Sequence, residues 1–218
     1  MKRTSLLASL ALLMTALAPQ TASAAVYYNN ITNTSDFDLS GTFIFAHRFG
    51  TDNTTLTVGS ANFTLNNSII SYDGTYPATP AGPLTPANFS TLLSYGVYGS
   101  YNPISLTSSP LTIGQNYELQ LFFSNNSDER QFNISVEGVN QFLTPLLLAS
   151  NTASGAVINF TATDATLNVL ISSYVGYTFL SAATLKAVEP VPEPGTAMLL
   201  GLAAVPFVYR FARRRRHV

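Results

Sequence analysis

A chain of 218 residues that is 46% apolar, only 10% charged and free of Cys excludes disulfide frameworks, thiol catalysis and thiolate zinc sites. Its charge is uneven. Lys2 and Arg3 open the chain, Arg210, Arg213, Arg214, Arg215 and Arg216 close it, and residues 25–189 hold three basic against ten acidic side chains. So acidic a body is a poor partner for polyphosphate, which excludes nucleic acid, and so apolar a composition excludes a disordered chain.

In chain order, residues 1–24 have the parts of a secretory signal peptide. A basic pair precedes the apolar run 6–17, and Ala22-Ser23-Ala24 is a small-x-small cleavage site. Signal peptidase is the implied partner, cutting after Ala24. Residues 25–188 then supply one domain large enough for a sizeable core. Strands are expected at 37–45, 54–58, 61–65 and 68–72. The Pro-rich stretch 76–86 reads as a surface loop leading into a helix over 85–93. There Thr85 is placed to cap, Pro86 suits the first turn, and Phe89, Leu92 and Leu93 share a face.

Beyond the helix the signal is period two. Tyr117, Leu119, Leu121 and Phe123 alternate with polar residues, and Phe122 breaks the pattern. Phe132, Ile134 and Val136 alternate likewise, as do Ile158 with Phe160, and Leu167, Val169 and Ile171. Such alternation puts one set of side chains in a core and the other in water. A last strand is expected within 178–187. Short strands at this spacing predict an all-β domain: an antiparallel β-sandwich or jelly roll with one short helix. It would sit between an N-terminal signal helix and a C-terminal hydrophobic helix.

Residues 189–218 form a tail of three parts. Val191-Pro192-Glu193-Pro194-Gly195 comes first, an apolar stretch 196–209 follows, and the Arg cluster ends the chain. The apolar stretch is shorter than the ~20 residues of a stable span, and the Arg cluster would stay cytoplasmic. Pro192 and Pro194 keep their segment extended and accessible to a processing enzyme. In this order the tail resembles the PEP-CTERM sorting signal of Gram-negative bacteria, with one departure at Pro206, which interrupts the span. The resemblance implies an exosortase-like membrane protease or transpeptidase acting near Pro192, Glu193 and Pro194. It also implies membrane contact through the tail before processing, and export through the inner membrane to the envelope surface or extracellular matrix. Proteins with such tails are associated with exopolysaccharide and biofilm.

The segments 114–123 and 130–138 resemble the central hairpin of malectin-like and galactose-binding-like jelly rolls, in which a G-x-x-Y-x-L-x-L strand precedes an R-x-F-x-V-x-x-x-G strand. The resemblance implies a jelly roll and, at the level of fold, a carbohydrate ligand, possible here without any binding residue carried over.

The candidate binding side chains are tyrosines: Tyr95, Tyr98 and Tyr101 beside Tyr72 and Tyr76, and Tyr174 with Tyr177 around Gly176. Exposed rings stack on sugar faces while their hydroxyls hydrogen-bond. His47, beside Arg48, reads as structural. Asp128 and Glu129 read as a solvated hairpin loop positioned by Arg130. Asp36 and Asp38, alternating across Phe37, would offer two oxygens to Ca²⁺ from one strand face. The segment lacks the dense Asp/Asn/Gly pattern of a strong site, and no other cofactor is implied. No catalytic constellation emerges. The expected function is a non-catalytic surface or matrix protein that grips polysaccharide. The alternatives are a secreted glycan-acting enzyme, which would need paired carboxylates, and a permanently membrane-anchored structural protein.

Overall fold

The computed structural model describes residues 24–77, 84–100, 102–108, 111–125 and 128–188. The expected signal helix up to Ser23, including Ala22, lies outside the described residues. So do Tyr101 and the whole tail with Pro192, Glu193 and Pro194. Among the described residues no helix is long and apolar enough to cross a membrane.

The strands are β1 (Ala24–Tyr28), β2 (Phe45–Arg48), β3 (Leu56–Val58), β4 (Ala61–Leu65), β5 (Ile70–Ser71), β6 (Gly74–Pro77), β7 (Tyr95–Gly99) and β8 (Ile104–Ser108). They continue with β9 (Asn116–Ser124), β10 (Arg130–Val136), β11 (Val139–Asn140), β12 (Leu146–Leu148), β13 (Ala153–Thr161), β14 (Leu167–Val175), β15 (Thr178–Leu180) and β16 (Ala182–Val188). One helix, α1 (Ala87–Leu92), precedes β7.

A long sheet runs β1-β13-β9-β16-β2-β4-β3, a facing sheet runs β11-β10-β14-β8-β5 with β12 on β10, and a small sheet runs β15-β7-β6. The pairs are antiparallel except β2 with β4, which run parallel with His47 opposite Thr64. This is the expected all-β sandwich with one short helix.

The period-two pattern builds the main core. Leu119, Leu121, Phe123, Ile158 and Leu185 of the long sheet meet Leu106, Phe132, Ile134, Val169 and Ile171 of the facing sheet. Burial at roughly 25 cal/mol per Å² of apolar surface makes this layer the principal source of stability. A second core lies on the outer face of the long sheet. There Phe122, Ala46, Phe63 and Ala182 are covered by Phe37 and Leu39 from a loop, and by Phe89, Leu92 and Leu93 from α1. The break in alternation at Phe122 follows: the long sheet is apolar on both faces at that point.

Three sequence expectations change. Of 37–45 only Phe45 is strand. Phe37 donates its N–H to Thr34 O (3.1 Å), and Leu39 to Phe37 O, so the segment turns and lays the Phe37 ring and the Leu39 side chain on the sheet from outside. Thr85 does not cap α1. Pro86 occupies the cap position without a side-chain bond, and the Thr85 N–H instead joins Thr32 O (3.0 Å). A strand also stands where none is expected: β1 pairs Ala24 with Asn159. Tyr27 fixes that strand by donating its hydroxyl to Leu147 O (2.6 Å) across the sandwich.

Candidate functional site

The small sheet positions two of the five candidate tyrosines together. Its register sets Phe179 opposite Tyr98 and Tyr98 opposite Gly74, so these three share a face with Tyr76 and Tyr177 two residues along their strands. The Tyr98 and Tyr177 rings meet edge to face at 5.9 Å, and Tyr76 tilts against Phe179 at 4.8 Å. The Arg130 guanidinium lies over Tyr177 at 5.2 Å and over Phe179 at 5.9 Å, which orders the exposed ring by cation–π attraction. Gly74 is what admits Tyr98: a Cβ there would stand 2.8 Å from the Tyr98 hydroxyl.

Tyr98 and Tyr76 are half-buried against the main core, whereas Tyr177 is 44% and Tyr174 67% exposed. Tyr174, at the end of β14, is three residues before Tyr177. Tyr95 stands on the opposite face of β7 from Tyr98, by strand alternation, and joins no common surface with it. Asp73 anchors the loop after β7, accepting from Ser100 N (2.6 Å) and Asn102 Nδ2 (2.8 Å).

A second feature escapes sequence reasoning. A groove of about 540 Å³ is lined by β2, β4 and the segments beside them, with Ser108 of the facing sheet on its border. Its floor is the inward face of those strands. His47 follows Phe45, which points into the main core, and its ring stacks on Phe45 at 5.0 Å. Thr64 is its direct neighbour on β4, and Asn62 is one pleat further on the same face. Ala61 and Phe63, which alternate with them, point outward into the second core. Thr42, Phe43, Ile44 and Ser60 wall one side, Asn66, Ile69 and Ser108 the other. In the sequence, Asn62-Phe63-Thr64 and Asn66-Asn67-Ser68 appear only as two of many Asn-x-Ser/Thr triplets. The sole hint of their surroundings is a polar–apolar alternation whose sense cannot be read.

Hydrogen bonding sets the state of His47. Asn66 Oδ1 accepts from Ser68 N (3.2 Å) and Ser68 Oγ (2.6 Å). Its amide nitrogen is therefore turned to His47 Nε2 at 3.2 Å, which makes Nε2 the acceptor and leaves the proton on Nδ1, 3.4 Å from Thr64 Oγ1. Burial lowers the His47 pKa, in keeping with a neutral ring.

Asp36 and Asp38 do not lie on a strand face, because their segment is a turn. The Asp38 carboxylate bonds the Lys186 ammonium and also accepts from Ser40 N (3.1 Å). With Lys186 first and Ser40 next, these partners lower the Asp38 pKa to about 2. The Lys186 ammonium thus engages the Asp38 carboxylate, one of the two oxygen donors of that weak Ca²⁺ candidate. Burial opposes the charge on Lys186, but Asp38 and Glu118, the latter at 3.1 Å, outweigh it and hold its pKa above the usual lysine value. Gln120 adds bonds to Glu118 Oε1 (2.6 Å) and Asp38 O (2.9 Å). The cluster fastens the Phe37–Leu39 loop to the long sheet. Among the described residues no three His, Asp or Glu side chains converge as a metal site.

No family model matches the sequence, and no curated protein matches it. Solved structures match by fold. The ANX1 ectodomain of Arabidopsis thaliana superposes with a TM-score of 0.54 at 11% identity, over 77% of this chain and 57% of that one. The plant receptor-like kinase ANX2 gives 0.54 at 9%, over 75% and 54%. β-Glucuronidase 2 of Bacteroides uniformis gives 0.52 at 15%, over 66% and 18%. The chain thus spans about half of the two plant chains and under a fifth of the glucuronidase. At such identities the likeness defines the fold alone, a β-sandwich shared with extracellular ectodomains, in agreement with the malectin-like resemblance of the central hairpin.

Proposed function

We propose that this chain is an exported bacterial protein of the cell surface or extracellular matrix, whose sandwich binds exopolysaccharide without catalysis and whose tail is a sorting signal for an exosortase-like enzyme. The observation that carries the binding reading is the exposed Tyr177 ring, backed by Arg130 and met edge-on by Tyr98. A ring held in this way stacks on a sugar at little cost in side-chain entropy. The sorting reading stands on the order of the three tail parts in the sequence. Extracellular ectodomains among the structural neighbours support an exported body.

The enzyme alternative asks for two carboxylates flanking a scissile bond. The groove lining, among the described residues, contains none, which favours binding over hydrolysis there. The test is affinity electrophoresis of the mature protein through gels containing the polysaccharide secreted by its host. Wild type is expected to be retarded and Tyr177→Ala to run closer to its mobility in a plain gel. Unretarded wild type refutes the binding reading. Intact-mass measurement by cell fraction tests sorting. Loss of residues 1–24 and of the Arg-rich end from surface protein is expected, and an intact tail in the inner membrane identifies the anchored alternative instead.

A further inference from the structure

We infer that the groove floored by His47, Asn62 and Thr64 is a second recognition site, separate from the Tyr177 surface, and that it takes a single neutral pyranose unit. The assignment holds whether or not Tyr177 contacts a polymer.

The first ground is the shape and polarity of the surface. Ala61 and Phe63 go outward into the second core, while Asn62 and Thr64 share the other face of β4 with His47 of β2 and stay exposed. The floor of the groove is therefore open to solvent and made of hydrogen-bonding side chains.

The second ground is the chemistry of the lining. Asn62 Oδ1 accepts from Thr57 Oγ1 (2.7 Å), which fixes the amide plane and directs its nitrogen away as a donor. Thr64 and Ser108 bring hydroxyls that both donate and accept, and His47, held by Asn66 and Thr64, lines the same groove. Phe43, Ile44 and Ile69 supply apolar surface on the walls. A pyranose has this dual character, hydroxyls around its edge and C–H groups on its faces. The volume of about 540 Å³ falls in the ~300–1,000 Å³ range of small-ligand sites.

The third ground is charge. Among the described residues the lining holds no Asp, Glu, Lys or Arg side chain, and the His47 tautomer set by Asn66 is neutral. Nothing there offsets the desolvation of an anion or cation, so a uronate or an amino sugar is disfavoured. A peptide strand is disfavoured too: β2 is paired on both sides, by β16 and β4, and β4 by β2 and β3, which leaves no free backbone ladder on the floor.

The test is saturation-transfer NMR on the mature protein with D-glucose, D-galactose, D-mannose and N-acetyl-D-glucosamine, and D-glucuronate as the anionic comparison. Transfer to at least one neutral sugar is expected, with no comparable transfer to glucuronate. Asn62→Ala and Thr64→Val should each weaken it about three- to tenfold, the effect of one lost neutral hydrogen bond. Tyr177→Ala should remove at most the share owed to the tyrosine surface and leave a transfer that the groove variants still weaken. Both groove positions are exposed, and thermal melting checks the fold of each variant, so either one alone keeps the test decisive. Absence of transfer from every neutral sugar overturns the inference. So does transfer insensitive to both groove variants, or equal transfer to glucuronate. Transfer that Tyr177→Ala abolishes while the groove variants retain it assigns the sugar to the tyrosine surface and overturns the groove alone.

Discussion

Replacing Phe122 by Ala tests whether the outer face of the long sheet is a genuine core. The side chain is fully buried and sits among three rings: Phe37 at 4.8 Å, Phe89 at 5.9 Å and Phe63 at 6.2 Å. Those partners come from a loop, a helix and a different strand, so the cavity cannot collapse by moving one element. Truncation of a buried Phe costs about 3–5 kcal/mol, and two edge-to-face contacts and one tilted ring contact place this site at the upper part of that range. With a urea slope of about 2 kcal/mol per M, a loss of about 4 kcal/mol lowers the unfolding midpoint by about 2 M. Phe122→Leu, which keeps most of the volume, should cost under about 1.5 kcal/mol. The assay is equilibrium urea unfolding followed by far-UV circular dichroism. A Phe122→Ala loss below about 1 kcal/mol refutes the reasoning, because that is the range of a solvent-facing strand position.

Other outcomes follow from the same outer face. Gly155→Ala places a Cβ 2.6 Å from Phe37 Cε1 and pushes that ring off the sheet, at a cost of about 1–3 kcal/mol measurable in the same unfolding assay; an unchanged midpoint would mean the ring has room to yield. Asp38→Asn removes one of the two carboxylate partners of Lys186 and leaves Glu118. The Asp38 side chain is more than half exposed, so solvent screening limits the loss to about 0.5–1 kcal/mol. Since the folded pKa of about 2 lies below the ordinary aspartate value of 3.8, that stabilisation is present above about pH 4 and disappears as pH falls toward 2. Wild type and variant should therefore converge in stability across that window, and a gap that persists at pH 2 would contradict the assignment.

The alternating strands β9, β10, β13 and β14 are legible because each exposes one face to the main core, and period two records that directly. Phe122 is legible only as an anomaly, since sequence gives no warning that a helix and a loop cover the other side. The 37–45 stretch misleads for a related reason. Phe37, Leu39, Phe43 and Phe45 have strand spacing, yet a turn stapled by Lys186 can present Phe37 and Leu39 to a sheet as well as a strand can. β1 is hidden by the cleavage-site pattern that overlaps it. Among the tyrosines, composition identifies the cluster, but only strand register separates Tyr98 from Tyr95. The groove is the least legible feature. It depends on the parallel pairing of β2 with β4, and on which way β4 turns its alternate residues, and neither is encoded within the four or five residues of a strand.

β16 occupies the middle of the long sheet, between β9 and β2, although it is the last strand of the domain. A polypeptide delivered from its N-terminus, by ribosome or by secretion channel, therefore emerges as two unjoined halves, β2-β4-β3 and β1-β13-β9. They share no neighbour until Ala182–Val188 arrives. Loop closure over such sequence separations makes folding slow compared with a local-contact fold, and it makes the arrival of β16 the trigger. A chain stopped before residue 182 is not a smaller sandwich but a pair of sheet fragments with open edges, the kind of species that aggregates. The keystone strand thus acts as a length check, coupling the order of synthesis to the moment at which the domain can close.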